Sequence, residues 1–122
     1  PQAVTHHVLA IQRNGKLLFE QRPSTGLWAN MWQLPTIEND DALLADHVRE
    51  RFGLTVTPPQ EVSRFQHATT HRAITFVVHT AEVEAGRLKP KSGLWRLHDQ
   101  LDDLPLPKPQ LKALKLLAES VG

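Results

Sequence analysis

The stretch Leu17–Pro35, LLFEQRPSTGLWANMWQLP, changes character partway along. Leu17, Leu18 and Phe19 ahead of Glu20 and Gln21 read as a strand that begins at Lys16 and runs to Arg22. Beyond it Pro23, Gly26 and Pro35 break regular structure, while Trp28 and Trp32 bring large apolar rings into the irregular segment. Rings of that size bury area, so Trp28, Trp32 and the later Trp95 read as packing residues rather than stacking platforms. Arg22, at the strand end before Pro23, can pair with an acidic neighbour or with a phosphate.

Upstream, Thr5 to Arg13 (THHVLAIQR) reads as a strand, and Asn14-Gly15 is a hairpin signal that returns the chain into Lys16. Downstream, Asn39 and Asp40 are N-cap candidates for a helix that ends near Phe52, with Gly53 as its stop. Leu43, Leu44, Val48 and Phe52 fall on one face of that helix. Glu61 to His67 and Ala73 to Val83 read as strands, and Gly93 to Asp99 as a short one. Pro105, Pro107 and Pro109 stiffen a connection to a closing helix, about Gln110 to Ser120, with Leu111, Leu114, Leu117 and Ala118 on one face. Strands and helices therefore alternate, as in an α+β domain built on a mixed sheet.

The 122 residues suit a single domain, 1–122, with one sizeable core. Cysteine is absent, which excludes disulfides, thiolate catalysis and cysteine-ligated zinc or iron–sulfur sites within this chain. No apolar run approaches the ~18 residues of a membrane-spanning helix, and no signal peptide is visible. The formal net charge is +1, so any nucleic-acid footprint must be local. A chain that opens at Pro1 without methionine is expected of a piece of a longer protein, or simply of processing.

The order of elements resembles the Nudix fold, a mixed β-sheet packed between α-helices. Within that fold, Gln21, Arg22, Pro23, Gly26, Leu27, Trp28, Trp32, Leu34 and Pro35 resemble the opening of the C-terminal domain of MutY-type adenine DNA glycosylases. Active Nudix enzymes carry a box of the form G-x5-E-x7-R-E-U-x-E-E-x-G-U, U being a bulky aliphatic residue, whose carboxylates hold magnesium against a diphosphate. Aligned on Gly53-Leu54, the box places Asp46 at its arginine and His47 at its first helical glutamate. Glu50 is kept, Arg51 replaces the neighbouring carboxylate, Glu38 falls on a glutamate, and Trp32 replaces the leading glycine. The resemblance therefore implies a Nudix scaffold with no catalytic residue and no metal ligand set of its own.

It also gives a meaning to FQHATTHRAI, Phe65 to Ile74. In the glycosylase family a loop reading Phe-Ser-His before a strand meets 8-oxoguanine. Thr70 and His71 take the serine and histidine places, and Thr69 replaces the phenylalanine. Threonine cannot stack as an aromatic wedge does, whereas the Thr70 hydroxyl both donates and accepts. The resemblance thus implies contact with the lesion by Thr69, Thr70, His71 and Arg72, with Arg22 and Arg64 as possible phosphate contacts. The residues themselves also allow plain turn bonding, a zinc pair at the His67-x3-His71 spacing, or solvated charges at Arg64 and Arg72.

The whole enzyme that this resemblance implies is intracellular, in the bacterial cytoplasm and nucleoid or in the nucleus, and removes adenine opposite 8-oxoguanine in double-stranded DNA. Its N-terminal catalytic domain, with an iron–sulfur cluster, would lie before Pro1, and this chain would carry no cofactor and act as a monomer. A hydrolase of oxidised nucleoside triphosphates and a protein-interaction domain are the alternatives on the same scaffold.

Overall fold

A computed structural model describes residues 2–40 and 43–121 of the chain. Strand β1 (Gln2–Arg13) turns at Asn14-Gly15 into β2 (Lys16–Gln21). Both turn residues have positive φ, 53° and 78°, as a tight hairpin of this kind requires. The two strands pair only beside the turn, at Gln12↔Leu17 and Arg13↔Lys16. Further along, β4 (Thr36–Glu38) lies antiparallel to β1 from His6 to Val8. On its other flank β7 (Arg72–Gly86) runs parallel to β1, from Gln2↔Arg72 to Gln12↔Glu82. β6 (Gln60–Ala68) and β5 (Leu54–Val56) pair antiparallel with β7, while β3 (Trp32–Gln33) and β8 (Leu94–Arg96) pair with β2.

Alternation along β1 and β7 sends neighbouring side chains to opposite faces. Val8 and Ala10 of β1, with Ile74, Phe76 and Val78 of β7, meet Ala113 and Leu114 of helix α2 (Lys108–Val121). Leu9 and Ile11, with Ala81, meet Leu44, Val48 and Phe52 of helix α1 (Leu44–Phe52). The result is a mixed sheet between two helices, the expected α+β arrangement. Each fully buried Leu, Ile, Val or Phe here contributes about 1.5–3 kcal/mol.

Several local expectations need correction. Asn39 and Asp40 do not cap α1: the N-cap position is Leu43, which makes no side-chain cap bond. Asn39 instead ends β4 with a φ of 62°, and its Oδ1 accepts the Thr5 amide at 2.8 Å. Leu43 is 52% exposed rather than part of the buried face. On α2, Leu111 and Ala118 are exposed, and the buried side runs through Gln110, Ala113 and Leu114. The buried amide oxygen of Gln110 accepts the Leu34 amide at 2.9 Å, which fixes the rotation of the helix. α2 also starts earlier than expected, so Pro109 belongs to its first turn, where a missing N–H costs nothing. The strands β3, β4 and β5 were not expected; at two or three residues they carry no readable periodicity. β8 is shorter than the expected Gly93–Asp99.

Gly53 ends α1 in the left-handed region, φ 76°, its amide bonded to Arg49 O at 2.9 Å. Gly86 pairs with Leu54 just beyond it, at φ 100°, and a Cβ there would clash with the Gly53 carbonyl oxygen. Gly86→Ala therefore meets both a strained backbone angle and a steric block of rigid main chain. The expected cost is on the order of 3 kcal/mol, read as a lowered urea midpoint with an unchanged slope. A variant as stable as the parent would show that the β5–β7 junction yields freely.

Candidate functional site

β6 and β7 form a hairpin whose tip is Thr69–Arg72. The Thr69 amide donates to Arg72 O at 2.8 Å, and the Arg72 amide donates to Thr69 Oγ1 at 3.1 Å. Thr69 therefore spends its hydroxyl on closing the turn. Thr70 and His71 project beyond it, exposed, and their side chains make no hydrogen bond among the described residues. The tip is tied to the sheet from outside: the Gln2 amide donates to His71 O at 2.9 Å. The guanidinium of half-buried Arg72 has no hydrogen bond or ion pair among the described residues.

Beneath the tip lies an aromatic cluster. Phe65 and Phe76 stack at 5.1 Å, and the Trp28 ring stands 5.9 Å from His67 and 6.4 Å from Phe76. Trp28 holds a φ of 54°, rare for a bulky residue, in the irregular segment between β2 and β3. Trp28 and Trp32 pack partly buried against the α2 side of the core and Trp95 against the α1 side. His67 is thus engaged with this cluster while His71 stands at the tip.

The two other arginines have partners inside the fold. Arg22 donates from Nε to Leu27 O at 2.8 Å and from Nη1 to Gln33 Oε1 at 3.1 Å, and stands 5.9 Å over Trp28. Sequence reasoning left an acidic partner or a phosphate open for Arg22; it holds an amide and a carbonyl. Arg64 makes a two-pronged pair with Glu61, at 2.8 and 3.1 Å. Each partner shifts the other: the bond from Arg64 draws the Glu61 carboxyl below its usual value, and Glu61 raises Arg64.

Of the box positions, Glu38, His47 and Arg51 line a cleft of about 460 Å³, with Glu20, Arg22 and Gln33 among others. Its centre is Glu20, which is 6% exposed. Gln33 Nε2 and the Thr36 amide donate to Glu20 Oε2 at 2.7 and 2.9 Å, and Arg51 Nη2 donates to Oε1. Arg51 also donates to Thr36 O at 2.9 Å. A guanidinium thus holds the carboxylate from the box position where a carboxylate is usual. Asp46 pairs with Arg49 at 2.6 Å, and His47 reaches Asp40 at 3.4 Å. Glu38 meets buried His6 at 2.9 Å. Burial lowers the His6 pKa, partly offset by Glu38, while Arg22 and Arg72 push it further down. Among the described residues no cluster of three His, Asp or Glu side chains has metal-binding geometry.

Sequence reasoning missed Glu20. Its signal was a carboxylate inside an apolar strand, facing a box position that had changed sign.

A sheet between helices, with a short helix closed by Gly53-Leu54 beside a carboxylate cleft, defines a class of fold. The model of the NUDIX domain matches residues 7–116, and the chain belongs to that family. Solved structures agree on the fold. A MutT NUDIX hydrolase from Burkholderia pseudomallei superposes with a TM-score of 0.76 at 20% identity, over 96% of this chain and 99% of its own. The C-terminal domain of mouse MUTYH, solved in complex with human PCNA, superposes at 0.77 and 15% identity, over 95% and 88%. The NUDIX domain of Shewanella oneidensis NrtR, solved with ADP ribose, gives 0.73 at 17% identity, over 99% and 88%.

Removing Arg51 leaves Glu20 charged in a buried position. Arg51→Met is expected to cost about 2–4 kcal/mol, below the range for a fully buried pair because Arg51 is partly exposed. Adding Glu20→Gln to that variant should recover most of the loss. A double-mutant cycle by urea unfolding checks it; additive losses would mean that the two groups are independent.

Proposed function

We propose that this chain is the lesion-recognition domain of a MutY-type adenine DNA glycosylase, without hydrolytic chemistry of its own. The observation that carries the reading is Arg51 on Glu20: the position where a Nudix enzyme presents a metal-binding carboxylate presents a cation already bound to the cleft's buried acid. The Gln21-Arg22-Pro23 and Gly26-Leu27-Trp28 motifs support it, as does the likeness of the fold to the MUTYH C-terminal domain.

The hairpin tip is the part that meets DNA. 8-Oxoguanine differs from guanine by a proton at N7 and a carbonyl at C8. The Thr70 hydroxyl can accept from that N7–H or donate to that oxygen, and His71 beside it can reach the same base edge or a phosphate. Thr69 serves by holding the turn closed, and Arg72 offers a guanidinium at its base. Adenine flipping and bond cleavage belong to an N-terminal domain of the parent enzyme, which carries the catalytic carboxylates and the iron–sulfur cluster. The partners are therefore duplex DNA with an 8-oxoguanine:adenine mispair and that domain, in an intracellular, monomeric enzyme.

The rival is a hydrolase of oxidised nucleoside triphosphates. This chain with magnesium should turn over 8-oxo-dGTP no faster than its Glu50→Gln variant; magnesium-dependent turnover well above that control would establish the rival. For the intact glycosylase, single-turnover cleavage of adenine opposite 8-oxoguanine and opposite guanine measures recognition directly. Thr70→Val and His71→Ala should each shrink the preference for the oxidised mispair about ten- to a hundredfold, as loss of one base contact worth about 1–3 kcal/mol implies. Both variants keeping the full ratio, while folded, would reduce the tip to turn chemistry.

A further inference from the structure

The cations expected near the tip are partly spoken for. Arg22 and Arg64 already have partners, which leaves Arg72 alone at the hairpin. One guanidinium is little positive charge for holding a duplex, yet the fold places more nearby. Lys108, Lys112 and Lys115 follow one another on α2 at i, i+4 and i+7, hence on one helix face. All three are exposed, and none has an ion pair among the described residues. From Leu104 to Ala118 the sequence contains no acid, and none occurs from Phe65 to Ala81 through the hairpin.

Three contacts bring this stripe to the same side of the molecule as the tip. The Lys112 ammonium stands 4.9 Å from the ring of Phe65, on the strand that leads into Thr69. The segment that leads into α2 is joined to the tryptophan loop, because the Trp32 amide donates to Pro105 O at 2.8 Å. That loop's Trp28 stands against His67. Lys112 thus stands over a buried ring of the strand that runs to the tip, and no acid occurs along these segments. Around α1 the charges are mixed: Glu38, Asp40, Asp46 and Glu50 stand with Arg49, Arg51 and Lys89, whose ammonium donates to Glu50 O.

We infer that the Lys108–Lys112–Lys115 face of α2 is a second DNA-binding surface, one that grips the phosphate backbone while the hairpin reads the base. The inference rests on the recognition reading above and adds a surface to it. The stripe extends about 10 Å along the helix. A DNA strand presents a phosphate about every 3.4 Å of axis, so three ammonium groups on that length meet neighbouring phosphates. Lysine suits this work, as a mobile point charge that needs no fixed geometry. Such contacts position the duplex and carry no sequence information.

The test is fluorescence-anisotropy titration of this chain with duplexes that do or do not contain 8-oxoguanine, over a range of salt. The variant Lys108→Gln/Lys112→Gln/Lys115→Gln is compared with Lys16→Gln/Arg87→Gln/Lys91→Gln, which removes the same charge elsewhere. The α2 variant should bind both duplexes about ten- to a hundredfold more weakly at low salt. Its log K against log salt should be shallower by about two to three, since each phosphate contributes about −0.9. The control should keep nearly the parent slope. Equal losses in the two variants would show a general charge effect and overturn the inference. So would an unchanged slope in the α2 variant, including the case in which the stripe serves an acidic protein, or a parent chain that binds no duplex at low salt. Recognition is judged separately by the Thr70 and His71 cleavage ratios, which a failure here leaves standing.

Discussion

The parallel ladder between β1 and β7 is the constraint on which the other elements depend. Its middle, Val8 to Ile11 against Val78 to Ala81, is covered on both faces. A slip of one residue would exchange the side chains that meet α1 with those that meet α2. The register extends to Gln2↔Arg72, so the same ladder fixes the base of the β6–β7 hairpin. β4 lies on the other flank of β1, where His6↔Glu38 and Val8↔Thr36 bring the cleft into register with it. One strand thus sets both the tip and the cleft.

The cleft is organised around one buried carboxylate. A buried carboxylate needs a compensating cation and hydrogen bonds. Glu20 has Arg51, Gln33 and the Thr36 amide, and Gln33 in turn holds Arg22, which holds Leu27 O. The network spans α1, β2, β3 and the tryptophan loop. It gives Arg22 a structural task, namely to orient the loop that carries Trp28 against His67 and Phe76. The bonds that satisfy Glu20 thereby reach the platform under the hairpin.

What could be read from the chain alone follows from how local each signal is. The Asn14-Gly15 turn, the Gly53 stop and the apolar runs of β1 and β7 are stated within a few residues, and they stand as read. The rotation of α2 depends on Gln110 reaching Leu34, 76 residues away, and a polar residue on the buried side defeats a count of leucines. Leu43 looks like core by spacing, but α1 begins one residue later and the side chain is left in solvent. At the tip, residue types showed hydroxyls and imidazoles without showing which are spent. Thr69 closes the turn and His67 packs on Trp28, and only the fold separates them from Thr70 and His71.

Charge followed the same logic with a larger consequence. A net charge of +1 looks neutral, but a sum over the whole chain does not show where the charges lie. Three lysines lie on α2 with no acid from Leu104 to Ala118, whereas α1 mixes Asp46 and Glu50 with Arg49 and Arg51, and the Lys89 ammonium rests on Glu50 O. On the proposed reading the lysine stripe has a further use. A duplex drawn to the lysine face at long range arrives beside the hairpin. Orientation of that kind asks nothing of base contacts. It lets two exposed side chains at the tip, Thr70 and His71, discriminate a base without also supplying the affinity that brings it within reach.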